Sequence, residues 1–546
     1  MHTKIEKIGG IPTIVVNDTP IPEMAYITYR PEENRYSDFA DAGVKLFSVN
    51  LNFSEQPINE RAPVLVFQKG IFEQDTPDFT IVDRNFDQIL TACPDAYIFP
   101  RVNINLPRSW EETHPEELCE KGFGDRTRFS FASDLWAEDA KKYLSSLVSY
   151  IENSKYKDRV IGYQIAAGNT EEWLTIDPQS GYGIRAKEKF DRYCCENDLE
   201  KNDENYYTFM SELVASRICE MGSVVKDLTG NNKLVGCFYG YTLFVDRTNC
   251  HNALGKLLKS EKVDFLCSPL TYADLREVGI DLYPMVPTAS LRHHNKVYFA
   301  ENDIRTHLSQ AIHEHPNYTS AIWFGHEQHL TAEQLKLAFS RGFLYGYGMW
   351  WFDMWGGWYA DETYMSLFAK MQTLCKDGMD TPDADVAVFV DEACICADQK
   401  ASIPIKKAIR ELGLCGTPYD AYLMSDFYEV SKNYKACVFL EPTATPFSVT
   451  CKNEGTIPVL QIRDQIPTQK ELRDWLKEND VNVPVNRAAV VYRSKKYISL
   501  YTAEDGEYDF CDGGERRFTD LFDGEQITFP TTLPKGKFFL FERPNK

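Results

Sequence analysis

No stretch of the sequence approaches the roughly 18 consecutive apolar residues of a membrane span. Its start, from Met1 to Gly10, also lacks the apolar core of a secretory signal. A soluble, cytoplasmic protein with no membrane partner is expected. Basic charge is short as well: 59 Lys and Arg face 81 Asp and Glu, for a formal charge of −22. The basic residues form no stripe that could track a phosphate backbone, which excludes nucleic acid as a partner. There is no Cys-x-x-Cys; the nearest approaches, Cys194-Cys195 and Cys394-Ile-Cys396, lack the second half of a tetrahedral zinc set. The 15 cysteines are odd in number and sit mostly in strand-like or helix-like segments, around Cys237 and Cys267 for example, so they read as buried free thiols. The histidines at 293, 294 and 307 and the His313-Glu-His315 group match no ligand spacing, so neither metal nor cofactor is expected. Internal repeats and low-complexity tracts are missing too.

What is present is length and rhythm. A chain of 546 residues exceeds what one hydrophobic core organises, and 43% hydrophobic residues suffice for several. From about residue 20 to 375, short β-rich apolar runs alternate with helical patterns. The runs begin at Met24, Val44, Ala96, Val160, Leu234, Val263, Val297 and Gly346. Between them lie stretches such as 137–153, with Leu144, Leu147, Val148 and Ile151 at helical spacing. Eight such units predict an α/β chain with a closed (β/α)8 barrel. An open doubly wound sheet would place a glycine-rich phosphate loop after its first strand, whereas Tyr29-Arg-Pro-Glu-Glu-Asn34 follows. Beyond about 380 the pattern changes to a few more parallel-type strands with crossovers, near Asp385, Tyr434 and Ile457, and a helix over 403–412. From about 485 it changes again to short strands and turns that predict a small antiparallel β unit. Polar, turn-rich boundaries near 376–383 and 482–484 divide the chain into 1–378, 379–484 and 485–546.

In such a barrel the reacting groups sit at the carboxyl ends of the strands. Strand three ends in Arg101, Asn103 and Asn105, strand four in Asn169, Glu171, Glu172 and Trp173, and strand five in Tyr239 and Tyr241. Strand six ends in Ser268 and Tyr272, strand seven in Glu301, Asn302, Asp303 and Arg305, and strand eight in Trp351, Asp353 and Trp355. Carboxylates, amides and aromatic rings facing one cavity suit a pyranoside, whose hydroxyls need polar partners while its C–H face packs on rings. A short oligosaccharide or glycoside is therefore the expected partner. Two glutamates at strands four and seven supply the carboxyl pair that retaining glycoside hydrolysis requires. Arg101, Asn103, Asn169, Glu171, Trp173, Tyr239, Tyr272, Trp351, Asp353 and Trp355 are expected to bind substrate, with Trp351 and Trp355 as sugar platforms. Asp303 and Arg305 are expected as an ion pair that orients Glu301.

Three stretches, Gly168-Asn-Thr-Glu-Glu-Trp173, Phe299-Ala-Glu-Asn-Asp-Ile-Arg-Thr-His307 and Gly348-Met-Trp-Trp-Phe-Asp-Met-Trp-Gly-Gly-Trp-Tyr359, resemble retaining glycoside hydrolases of clan A. The closest likeness is to family 42 β-galactosidases and the related family 164 β-mannosidases. The resemblance extends over nearly the whole chain, with 416–426 and 434–440 resembling that group's flavodoxin-like trimerisation domain. It implies a homotrimer, an exo-acting β-glycosidase with β-galactoside favoured over β-mannoside, Glu301 as nucleophile and Glu172 as acid/base. Glu172 is preferred to Glu171 because it directly precedes Trp173. The chain departs from the pattern in that two residues separate Asn169 from Glu172, where clan A members commonly place Asn immediately before the acid/base. The cysteine cluster that often binds zinc in family 42 has no counterpart. Readings from other classes are a barrel that binds carbohydrate without turning it over, and a lyase or isomerase. The last would call for metal ligands or a Schiff-base lysine, and neither is seen.

Overall fold

The computed structural model describes residues 1–55, 69–74, 76–119, 128–174, 182–272, 276–309, 325–354, 356–440, 457–463 and 465–544. Eight parallel strand positions close on themselves between residues 24 and 352. Strand one is Met24–Ile27, and strand two is split into Leu46–Phe47 and Asn50–Asn52. Strand three is split into Tyr97–Ile98 and Arg101–Asn103, and strand four is Gly162–Gly168. Strands five to eight are Leu234–Phe238, Phe265–Pro269, Val297–Asn302 and Gly348–Phe352. Each pairs in parallel with the next, and strand eight returns to strand one through Trp350↔Ala25 and its neighbours. This is the expected (β/α)8 barrel, with all eight strand regions where the sequence predicts them. The break in strand three falls at Pro100, which has no N–H for the ladder. There the Ser48 hydroxyl donates to the Phe99 carbonyl instead, at 2.7 Å.

Strand periodicity sends alternate side chains into the barrel. Phe99, Phe265, Phe299 and Trp350 form its aromatic filling; Phe299 lies 5.6 Å, centroid to centroid, from each of the other three rings. Gly236 leaves the room this requires, since a Cβ there would meet the Phe265 ring at 2.0 Å. The helix expected over 137–153 spans Asp134–Glu152 and is capped by the Ser133 hydroxyl accepting from the Trp136 amide.

Ahead of the barrel lies a hairpin that the sequence reading did not single out, Thr3–Ile8 against Ile11–Val16. Its Gly9-Gly10 turn has φ +60° and +90°, the left-handed pair a two-residue turn of this kind needs. The hairpin docks near the amino ends of the barrel strands, where the Ile14 amide donates to the buried Glu23 carboxyl at 2.6 Å.

Behind the barrel, Val386–Val390, Tyr419–Leu423, Ala436–Leu440 and Val459–Ile462 form a parallel sheet in the order second, first, third, fourth, which is the flavodoxin-like arrangement. Tyr419–Leu423 escaped the strand reading because Asp420 interrupts its apolar pattern, yet all five residues are buried. The last sheet, Ala489–Val490, Tyr497–Thr502 and Phe538–Glu542, is antiparallel and flanked by two small hairpins. A hydrogen bond fastens this unit to the barrel: the Tyr492 hydroxyl donates to Asp281, whose two carboxylate oxygens Arg341 of the barrel holds at 2.6 Å. The cysteines of the described residues are all free and mostly buried. Among those residues no helix is long and apolar enough to cross a membrane.

Candidate active site

At the carboxyl ends of the strands, above the aromatic filling, lies Arg101. Its guanidinium sits 4.7 Å from the Phe238 ring centroid, 5.3 Å from Phe352 and 5.5 Å from Trp350. It donates to Gln164 at 3.2 Å, to Glu171 at 3.4 Å and to Glu301 at 2.6 Å. A fully buried cation of this kind is stable only when neighbouring carboxylates neutralise it. The two glutamates and the arginine therefore form one electrostatic unit, and burial of the guanidinium is outweighed by Glu301, Tyr29 and Glu171, which hold its pKa above the ordinary value.

Glu301 ends strand seven almost buried and also accepts from the Trp350 indole N–H at 3.2 Å. Burial, with Asp303 nearby, holds its carboxyl above the ordinary range, and Arg101 offsets only part of that. Glu171 is fully buried, accepting from Asn50 at 2.6 Å and from Asn103 at 3.3 Å besides Arg101. It lies beneath the mouth as an anchor for Arg101.

Glu172 has different surroundings. It is partly exposed, accepts from the Tyr241 hydroxyl at 2.8 Å and from Thr170, and among the described residues makes no contact with a cation. Burial of its carboxyl and the nearby charge of Glu301 push it up to about 7. The loop presenting it is conformationally costly: Thr170, Glu171 and Trp173 have φ of +54°, +67° and +58°. Left-handed backbone at three non-glycine residues so close together persists only where the surroundings impose it. Here Gly168 approaches Leu174 so closely that a Cβ would meet its carbonyl oxygen. Trp173 is wedged between Phe131 and Trp136. His251 donates from Nε2 to the Glu172 carbonyl at 3.0 Å, and its ring lies between Tyr239 and Tyr241. Burial lowers the imidazole pKa to about 3, so it stays neutral.

The structure brings Arg101, Asn103, Glu171, Glu172, Tyr272, Glu301, Asp303 and Arg305 together at one end of the barrel. Tyr272 donates to Asp303 at 3.3 Å, and Asp303 is gripped by Arg276 at 2.5 Å and Arg305 at 2.8 Å. Burial opposes ionisation of Asp303, but the two arginines win and hold its pKa below the ordinary range. The expected Asp303–Arg305 pair is there, with Arg276 as an additional partner. Asn169 keeps its backbone bonded to Leu174 at 2.8 Å and buries an Oδ1 that has no partner among the described residues.

Four expectations require correction. Trp351 points out of the barrel onto Phe368 of the helix layer, 4.6 Å away, and is fully buried. Trp350, one residue earlier, faces inward and reaches Glu301. Asp353 shares the outward parity; it binds the Tyr26 hydroxyl and the amides of Gly357 and Trp358, shaping the loop after strand eight. Tyr239 also points outward, donating to the carbonyls of Ser211 and Cys250, and Tyr241 takes the inward role. Trp173 is an outward core residue whose indole N–H donates to the Ile165 carbonyl. Residue alternation explains Trp351, Asp353 and Tyr239: the signal that would have found Trp350 is its place beside Glu301 in the strand register. Asn50, Tyr29 and His251 had no motif to mark them. Trp355, His313 and His315 lie outside the described residues.

No protein-family model matches the sequence, and no curated protein matches it. Solved structures do. A β-galactosidase from Bacillus circulans sp. alkalophilus superposes with a TM-score of 0.64 at 11% identity, over 96% of this chain and 99% of that one. A β-galactosidase from the psychrophilic Marinomonas ef1 gives 0.64 at 12%, over 96% and 100%. The GH42 exo-carrageenase of Bacteroides ovatus gives 0.63 at 10%, over 100% and 86%. The chain thus has the fold of the GH42 clan A glycoside hydrolases along its whole length.

Proposed function

We propose that this protein is a retaining β-glycosidase with Glu301 as nucleophile and Glu172 as acid/base. The observation that carries the reading is the contrast between two carboxyls at one barrel mouth. Glu301 is paired with a guanidinium, while the carboxyl of Glu172, among the described residues, meets hydroxyls and is pushed up to about 7. Two glutamates whose environments separate them in this way divide the work of nucleophile and proton donor. Glu172 gives its proton to the glycosidic oxygen as a Glu301 carboxylate oxygen attacks the anomeric carbon and the leaving alcohol departs. Glu172, now ionised, takes a proton from water, whose oxygen displaces Glu301 and restores the free enzyme with net retention. The Trp350 N–H and Arg101 hold the attacking carboxylate in place.

Among the described residues the cations of the site are already engaged, Arg101 with Glu171 and Glu301, and Arg276 and Arg305 with Asp303. This favours a neutral pyranoside over one carrying carboxylate or sulfate, and a short β-galactoside is the substrate we place first. The test is a panel of nitrophenyl β-glycosides with galactose, mannose and glucose, plus carrageenan oligosaccharides, against wild type, Glu301→Ala, Glu172→Ala and Glu171→Ala. We expect turnover of the β-galactoside, abolished in Glu301→Ala, and recovered in Glu172→Ala by azide with a β-glycosyl azide as product. Wild-type inertness across the panel with saccharide binding retained would refute catalysis and leave a carbohydrate-binding barrel.

A further inference from the structure

The short helix Thr288–His293 leads into strand seven and packs on Tyr419–Leu423 of the flavodoxin-like sheet. Its Ser290 hydroxyl accepts from the Leu423 amide at 2.7 Å and donates to Asp426 Oδ2 at 2.5 Å. The helix closes on His293 and His294. Consecutive helical side chains diverge by about 100°, yet both rings turn Nε2 toward one short segment of the other unit. His294 Nε2 lies 2.9 Å from Asp426 Oδ1, and His293 Nε2 lies 2.8 Å from Glu429 Oε2. Ligating atoms of His293, His294 and Asp426 all fall within 4.8 Å of one another.

We infer that His293, His294 and Asp426, with Glu429 as fourth ligand, form a zinc site that clamps the barrel to the flavodoxin-like unit. Two imidazole nitrogens and two carboxylate oxygens are a donor set that zinc accepts in tetrahedral geometry. Bonds of about 2.0–2.1 Å put tetrahedral ligand atoms about 3.3 Å apart. That spacing falls between the hydrogen-bonded pairs and the 4.8 Å limit of the three-residue group, so small side-chain rotations bring those three onto one ion, while Glu429, 2.8 Å from His293 Nε2 and outside that group, swings in as the fourth. Asp426 is only 4% exposed, and the Ser290 hydroxyl fixes its second oxygen. The oxygen facing the histidines is thereby pre-aimed, as outer hydrogen bonds do for metal-binding carboxylates. His293, His294 and Glu429 reach solvent, which gives the ion an entry path without opening the core. The histidine and acidic ligands lie more than 130 positions apart in the chain, so no sequence spacing betrays them. The helix precedes strand seven and so lies at the opposite end of that strand from Glu301, which separates this site from the barrel mouth.

The test uses the full chain, stripped with a chelator and titrated with zinc chloride by calorimetry and with cobalt chloride by absorption. We expect one ion per chain, visible bands of tetrahedral cobalt without a thiolate charge-transfer band, and a higher Tm with zinc. Asp426→Asn, which keeps the side-chain volume, and His294→Gln should each weaken zinc binding about tenfold or more and remove the Tm gain. His293→Gln is the further variant should either of these fail to fold. Absence of binding at micromolar zinc would overturn the assignment. A thiolate spectrum from the cysteines, or a stoichiometry that survives the folded variants, would overturn it equally.

Discussion

The Tyr241 hydroxyl bonds to Glu172 Oε1 at 2.8 Å, and on the proposed mechanism its removal should move the pH profile of activity in a direction the structure dictates. A hydroxyl donating to a carboxylate stabilises the ionised form, so in Tyr241→Phe the proton leaves Glu172 less readily. A hydrogen bond to a charged acceptor contributes about 1.5–3 kcal/mol, and one pKa unit corresponds to about 1.4 kcal/mol. Because Glu172 is partly exposed, water replaces some of the lost stabilisation, which leaves an upward displacement of about one unit. In the native protein the carboxyl is already pushed up to about 7 by burial and by Glu301. On the proposed mechanism Glu172 is the proton donor and sets the alkaline limb of kcat/KM, which then shifts from near 7 to near 8, about one unit, in the variant. The assay is kcat/KM for the best nitrophenyl glycoside from pH 4 to about 10. Tyr239→Phe is the control, since that hydroxyl faces the carbonyls of Ser211 and Cys250 and should leave the limb in place. A limb that stays put in Tyr241→Phe, or moves to lower pH, would show that Glu172 is not the group whose ionisation ends activity.

Arg101→Met removes the cation between two buried carboxylates, and a denaturant midpoint should register a loss of about 3–5 kcal/mol. Adding Glu171→Gln should recover part of it, because one of the orphaned charges is then gone. Trp350→Phe deletes the N–H donor to Glu301 and should lower kcat/KM about tenfold, whereas Trp351→Phe should lower Tm and leave kcat/KM within about twofold. Equal effects on activity would contradict the inward and outward assignments. Glu23 is a buried carboxyl raised to about 8 by burial. Folding therefore favours its protonated form, and stability is lost as pH rises from the unfolded value near 4.5 through 8. The loss attributable to this group is at most about 5 kcal/mol. Glu23→Gln should flatten the decline in denaturant midpoint between pH 5 and 9; an unchanged slope would exclude Glu23 as its source.

The architecture was open to reading because it depends on local rules that each segment carries in its own residues. Eight apolar runs with helical stretches between them specify a closed parallel barrel, and every run became a strand. Glu172 and Glu301 were legible for the same reason, as polar residues where a strand pattern ends. The Gly9-Gly10 hairpin was equally written in the sequence and was passed over. Tyr419–Leu423 was not, because its burial comes from packing between units that a polar residue at 420 conceals.

Which way a side chain faces was decided by tertiary structure. Moving one residue along a strand reverses the face, and apolar runs such as Met349 to Phe352 carry no alternation to reveal the phase; hence Trp350 lines the site and Trp351 the helix layer. The partners of Arg101 are Tyr29 just after strand one, Gln164 of strand four, Glu171 of the loop after it and Glu301 of strand seven, and no spacing along the chain links them. The difference between Glu171 and Glu172 likewise arises only when the barrel closes, burying one against Arg101 and Asn50 and turning the other toward Tyr241 and solvent. The sequence by itself determined the barrel and the positions of the two acids, because periodicity and strand ends are local. Only the folded molecule determined their charge environment, because burial and opposing charge belong to residues brought together from distant parts of the chain.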